Sequence, residues 1–465
     1  MVKWRRFMGL AKFTSLPAAH GDPAGRLPAS LGVALDRAPD LAPQVTSPES
    51  TLSRGRLNAL MVLFGTVYFA QGLIEPTAGL LAQPMQSRMN AWAMPAATIG
   101  SWMFLLGMPW TLKPLFGLLT DFVPLLGCRR WTYLIAACAT SSASFIAVYL
   151  SGFAPESIDR AFALLALATT GVAFADVVID GLAVEEGQPA GITGKLQSVQ
   201  WASTSIATIV AGSLGGYLAQ SAQLRSGFLI CAALASVTFV LALFLVSEQR
   251  NSATASITGL RQAGRELLAA ARSPLVFAVG GFLFLWNFNP FSSTVQQLYL
   301  TNQLQISEQF YGHLVSVFYA AGVPACVLYW LFCRKVPLGV LVHLSIGLGV
   351  ISTLAYWALA GKTSAVVVSA LAGFAYILGV VIQLDLAARV VPTGSAATLF
   401  ALFMALSNTG LSLGMYFGGH MYDRLTARFG SRHIAFDILV AVGALCTAGC
   451  WLLVPWLRRC GLKWN

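Results

Sequence analysis

Asp176 and Asp180 stand four residues apart in an otherwise apolar run. On a helix that spacing places them one above the other on a single face. Two carboxylates held together repel when both are ionised, and burial penalises the charged form, so one of them is expected to take up a proton reversibly. Lys113, in another apolar run that heads for the same end, is expected to pair with Asp176 or Asp180. That pair is either a permanent structural one or one that protonation or a ligand breaks. Asp385 and Arg389 repeat the spacing with the acid first, the better order for an intrahelical pair; alternatively Arg389 turns its planar fork to a ligand carboxylate. Trp286-Asn287-Phe288-Asn289-Pro290-Phe291 joins amides for a polar ligand, rings for a flat one and a proline that kinks the helix, and a kink packed on its neighbours is the competing account. Gln197 and Trp201 share a face and can line a cavity or pack. Glu75-Pro76 is a second proline break, with Glu75 either a further proton site or a group near the outer surface.

The elements that position these groups follow from composition. The 465 residues include 29 Lys and Arg and 18 Asp and Glu, about 10% charged where an ordinary soluble domain has roughly a quarter. The hydrophobic share is 57% and the mean hydropathy +0.70. A water-soluble protein is excluded, and in lipid only helices or closed barrels satisfy the backbone. The alternation of a barrel strand is absent, which leaves helices. About 20 apolar residues cross a bilayer. By that rule the sequence predicts twelve spans, among them 57–82, 96–119, 161–185, 195–220, 275–300 and 364–390. Residues 1–56 form a polar tail, 57–246 a first six-helix bundle, 247–274 a basic linker, 275–457 a second bundle and 458–465 a short tail.

Lys and Arg crowd the first tail, the linker (Arg250, Arg261, Arg265, Arg272), the loops with Arg129, Arg130, Arg334 and Lys335, and the C-terminus. That bias predicts both termini in the cytoplasm of a cell whose inner membrane holds the chain. It also accounts for the net charge of +11 without nucleic acid as a partner. The first residues are basic and free of acids, which is compatible with a targeting segment. The 8 cysteines read as small core residues. No Walker loop, HExxH, GxSxG or zinc spacing appears, so neither an enzyme nor an ATP-driven pump is expected, and no metal or cofactor.

The halves look related. Pro76 and Gly100 in the first answer Pro290 and Gly312 in the second, and Asp180, Ser205 and Gly215-Gly216 answer Asp385, Asn408 and Gly418-Gly419. Repeated six-span units are a transporter design. The expected fold is therefore an all-α membrane protein of twelve transmembrane helices, the major facilitator fold, with a cavity between two bundles.

Lys113-Pro114-Leu115-Phe116-Gly117-Leu118-Leu119-Thr120-Asp121, followed by Gly127-Cys128-Arg129-Arg130, resembles the signature of the folate-biopterin transporter family within that superfamily. Tyr68-Phe69-Ala70-Gln71-Gly72, Ala175-Asp176-Val177-Val178-Ile179-Asp180, Leu196-Gln197-Ser198 with Trp201, Phe310-Tyr311-Gly312 and Ala397-Thr398-Leu399-Phe400-Ala401 are similar to other stretches of the family. The resemblance implies a cytoplasmic gate at Gly117, Asp121, Arg129 and Arg130, and symport of a pteridine such as folate or biopterin with protons across the bilayer. Cys128 replaces the usual tyrosine and Ala396 the usual glutamate, which puts the charge arrangement near Arg389 and the substrate in question. The segment from Ala97 to Lys113 also looks like the muropeptide and acetyl-CoA permeases, some of whose relatives move siderophores. A non-transporting scaffold of the same fold is the reading from another class; it would have little use for charges inside spans.

Overall fold

The computed structural model of the chain describes residues 54–187, 192–246, 248, 257–332, 335–390 and 396–460. The tail expected over 1–56 falls almost wholly outside the described residues, as do the side chains of Gln197 and Arg389. Among the described residues the regular structure is helical. The first half comprises α1 (Arg54–Ile74), α2 (Ala82–Ala91), α3 (Ala96–Thr111), α4 (Lys113–Phe122), α5 (Trp131–Ser151), α6 (Ile158–Gly187), α7 (Thr193–Gln220) and α8 (Leu224–Leu245). A linker helix α9 (Ile257–Ala271) leads to α10 (Pro274–Asn287), α11 (Ser293–Asn302), α12 (Glu308–Phe332), α13 (Leu338–Leu354), α14 (Lys362–Val390), α15 (Ala396–Phe429), α16 (Arg432–Ala448) and α17 (Cys450–Arg459).

Among the described residues eleven helical stretches are long and apolar enough to cross a membrane. The span between them, the seventh, is α10 followed by α11. Proline explains why it is divided, since it lacks an N–H and its ring clashes with the preceding turn. The sequence predicts a kink at Pro290, but the chain leaves the helix altogether from Phe288 to Ser292. The first span divides likewise after Ile74, where Glu75-Pro76 opens a turn that runs to α2.

The apolar core shows how the halves meet. One cluster is shared between them and gathers residues such as Leu81, Met89, Ile99 and Leu218 with Val295, Leu300, Met415 and Leu439. A second belongs to the first half alone, with Leu60, Phe64, Leu134, Ile179, Leu196 and Val246. A third belongs to the second half alone, with Val276, Leu338, Leu386, Leu399 and Leu457. The bundles thus share a core toward one end, while toward the end that carries the start of α1 and the end of α17 each keeps a core of its own and α4 still meets α15.

Bare backbone makes the fused end tight. A Cβ on Gly312 would lie 2.6 Å from the Cα of Gly216, and one on Gly216 would lie 2.8 Å from the Cα of Gly312. Gly100 abuts the backbone of Met415 and would carry a Cβ 3.5 Å from the Cα of Gly419, which itself abuts Ala96. Only glycine permits such an approach. These are the glycines that mark the repeat in the sequence, and each meets a mark of the other half.

Hydrogen bonds reinforce the same end. Gln83 Nε2 donates to the carbonyl of Glu308 (2.6 Å) and to its carboxylate (2.8 Å), and Gln297 Nε2 donates to the carbonyl of Gln83 (3.1 Å). Asn90 and Asn302 exchange amide bonds of 2.8 and 2.9 Å. The backbone N–H of Ala97 donates to Asp423 at 2.7 Å.

Candidate functional site

The first group of candidates sits within the first half. Pro109 and Pro114 bracket the point where α3 gives way to α4, so Lys113 begins a new helix and projects toward α6. It is ion-paired with Asp176, and the two side chains are 16% and 4% accessible. Its ammonium also lies 4.9 Å from the centre of the Trp110 ring. Asp180, one turn on, accepts a hydrogen bond from the Tyr68 hydroxyl at 2.5 Å and a long one from Gln200 at 3.5 Å. It lies within electrostatic reach of both Asp176 and Lys113. Of the two partners open to Lys113 in the sequence, geometry selects Asp176.

The second group lies toward the separated end. Arg130 precedes α5 and is buried at 8%. Its guanidinium donates to Asp121 (2.6 Å), to Glu185 (2.8 and 3.1 Å) and to the Thr120 hydroxyl (3.0 Å). A Cβ on Gly181 would fall 2.6 Å from the guanidinium carbon, so α6 passes at a glycine. Burial opposes the charge on Arg130, but Glu185 and Asp121 outweigh it and hold the group above its ordinary range. The side chain of Arg129 is exposed, while its backbone N–H, with those of Arg130 and Trp131, donates to Glu248 at 2.7, 2.8 and 2.8 Å. An acid at a helix N-terminus is favourable because it meets free N–H groups and the positive end of the dipole. Gly117 faces Val177 across α4 and α6.

In the second half, Asn287 Nδ2 donates to Gln383 (3.1 Å) and Asn289 Nδ2 to Thr353 (3.2 Å). Both amides wall a cavity of about 260 Å³ that lies chiefly within the second half, and Lys113, Asp176 and Asp180 are not among its lining residues. The rest of its wall is uncharged and mixes aromatic side chains, among them Trp286, Tyr311, Tyr319, Tyr356 and Tyr376, with aliphatic ones such as Leu300 and Leu411, and Thr77 and Ala78 come from the first half. Asp385 lies apart from it and accepts a bond of 2.6 Å from the Tyr329 hydroxyl. Trp201 is 57% exposed and is not among the residues that wall the cavity.

Sequence reasoning missed Tyr68, Trp110 and the cavity tyrosines, because an aromatic on an apolar helix looks like any core residue. Tyr68 and Tyr311 carried a signal, through the stretches Tyr68 to Gly72 and Phe310 to Gly312.

This geometry is that of a membrane protein of the major facilitator fold, two six-span bundles with a cavity walled chiefly by the second. Solved structures agree on the fold. A D-xylose-proton symporter matches with a TM-score of 0.65 at 14% identity, over 87% of this chain and 98% of that one. The nucleoside transporter NupG matches with a TM-score of 0.63 at 13% identity, over 88% and 99%. Residues 81–460 match the model of the BT1 family, and the chain belongs to that family. It is 27% identical to the "Folate-biopterin transporter" of Synechocystis sp., over 84% of this chain and 80% of that protein. It is 22% identical to "Probable folate-biopterin transporter 4" of Arabidopsis thaliana, over 84% and 93%. The chain is a transporter, not an enzyme.

Proposed function

We propose that this transporter moves a pteridine-type compound, folate or biopterin, by alternating access, with protons as the coupling ion, across the inner membrane of a cell whose cytoplasm holds both termini. The observation that carries the reading is the cavity. Its tyrosines and Trp286 offer flat faces to a heterocycle, and Asn287 and Asn289 offer donors and acceptors to its edge. The relatives' names supply the substrate class.

The charges of the first half fit a proton site. With Asp180 ionised, Lys113, Asp176 and Asp180 together carry one net negative charge; a proton on Asp180 leaves the Lys113–Asp176 pair balanced. A substrate carboxylate can compete with Asp176 for Lys113, or engage Arg389. At the separated end, Arg130 with Asp121 and Glu185, beside Gly117 and Arg129, serves as the cytoplasmic gate. Closure there must bring the second half against this cluster, and Trp201 and Gln197 lie on α7 of the same half as the cluster.

The test is uptake into proteoliposomes under an imposed pH gradient. Folate or biopterin is expected to accumulate, and Asp180→Asn to lose accumulation by about tenfold or more while exchange at equal pH persists. Unchanged pH-driven accumulation in Asp180→Asn overturns its role. Uptake of muropeptides or siderophores with no pteridine transported overturns the substrate.

A further inference from the structure

The first and seventh spans break at matching prolines, and the residue before each proline makes the same turn. Glu75 accepts a bond from the N–H of Thr77 at 2.9 Å, and Asn289 accepts one from the N–H of Phe291 at 2.9 Å. Such side-chain capping of a freed backbone group is ordinary for a short polar residue. The second half achieves it with an amide, so the turn itself requires no charge. The carboxylate in the first half needs another explanation.

Its surroundings sharpen the question. Glu75 accepts bonds from the N–H of Ala78 at 2.7 Å, from the Thr77 hydroxyl at 2.8 and 2.9 Å, and from Trp110 Nε1 at 3.2 Å. Every donor is neutral, and among the described residues no ion pair includes Glu75. The groups that face this region come from each neighbouring element. Trp110 on α3 lies between Glu75 and Lys113. Tyr319 on α12 is within electrostatic reach. Asp176 on α6 and Cys138 on α5 share a small pocket with Gln71 and Ile74 at the end of α1. The part of α7 packed on Gly72 brings Thr204 and Ala207, neither of which titrates.

We propose that Glu75 is a second proton-binding carboxylate of the carrier, and that its proton sets the position of the cavity wall at Thr77 and Ala78. The inference rests on the proton-coupled reading above. An ionised carboxylate is purely an acceptor, and here four donor groups converge on its oxygens. A proton on either oxygen turns it into a donor, and of the four groups only the Thr77 hydroxyl can accept in return, so either that bond reverses or one of the others opens. Three of the four donors belong to Thr77 and Ala78, which wall the cavity. Proton uptake therefore loosens the wall that a substrate touches, and a substrate pressed against the wall alters the hold on the proton, as reciprocal linkage requires.

The test reads the wall directly. Ala78→Cys in vesicles is labelled with a soluble thiol reagent in acidic and in alkaline buffer, against the parent chain as blank. Divided at each pH by the rate for a small free thiol in the same buffer, which removes the change in thiolate fraction, the labelling rate is expected to differ by about threefold or more between the buffers, and Glu75→Gln in the same background to abolish that difference. Glu75→Asn, which installs the amide the second half uses at this turn, is expected to behave like Glu75→Gln and guards against a folding defect in either. In both variants a pH gradient is expected no longer to drive accumulation of substrate. A normalised labelling rate that is independent of pH in Ala78→Cys, or an unchanged normalised difference in Glu75→Gln, overturns the proposal. Failure of the parent to move any pteridine would count against the substrate reading instead, since the labelling result stands without it.

Discussion

A lysine and an aspartate shut away together are harder to separate than their net worth suggests. Removing one partner of a buried pair strands the other, at about 3–5 kcal/mol, whereas replacing both by apolar groups is often neutral. With side chains 16% and 4% accessible, Lys113 and Asp176 fall in that regime. Lys113→Met and Asp176→Leu are each expected to lower the melting temperature in detergent, and the double variant to recover most of the loss. Single variants that melt like the parent would show that the pair does not hold the bundle. These residues were legible in the sequence because charge in an apolar run is conspicuous. What the sequence left open was the choice between Asp176 and Asp180, which depends on where Pro109 and Pro114 swing the start of α4. Glu75 was equally ambiguous, because the depth of a residue beyond a broken helix does not follow from counting turns.

At the scale of elements, the interruptions matter more than the helices. The rule of about 20 apolar residues locates the spans, since the bilayer fixes length. It does not reveal that the chain leaves the helix between Asn287 and Ser293, because a proline inside a helix and a proline inside a gap look alike in sequence. Pro290→Ala removes the clash, which amounts to about 3 kcal/mol or more in a helix interior. It is expected to let α10 run on, to rotate Asn289 off the cavity wall and to weaken substrate binding by about tenfold in a thermal-shift titration, with the fold retained. Affinity equal to that of the parent would show that the gap is not needed to present the amide.

At the scale of the whole molecule, the fused and separated ends define an inward-open shape once the basic end is taken as cytoplasmic. Which end is sealed was not legible, because the sealing groups are glutamines and asparagines such as Gln83, Asn90 and Asn302, unremarkable in any loop. The exchange of amide bonds between Asn90 and Asn302 brings these side chains together across the halves. The pair Asn90→Cys and Asn302→Cys is expected to cross-link under mild oxidation and to reduce transport by about tenfold until a reductant is added. Full transport by the cross-linked protein would rule out opening at this end.

The glycine contacts of the sealed end carry one more consequence. Gly100 corresponds to Gly312 and Gly216 to Gly419, yet Gly100 meets Gly419 and Gly312 meets Gly216. Each half therefore owns both faces of the contact, as a subunit does in an isologous dimer. Two copies of a single half would present this pair of glycine contacts to one another just as the two unlike halves do here.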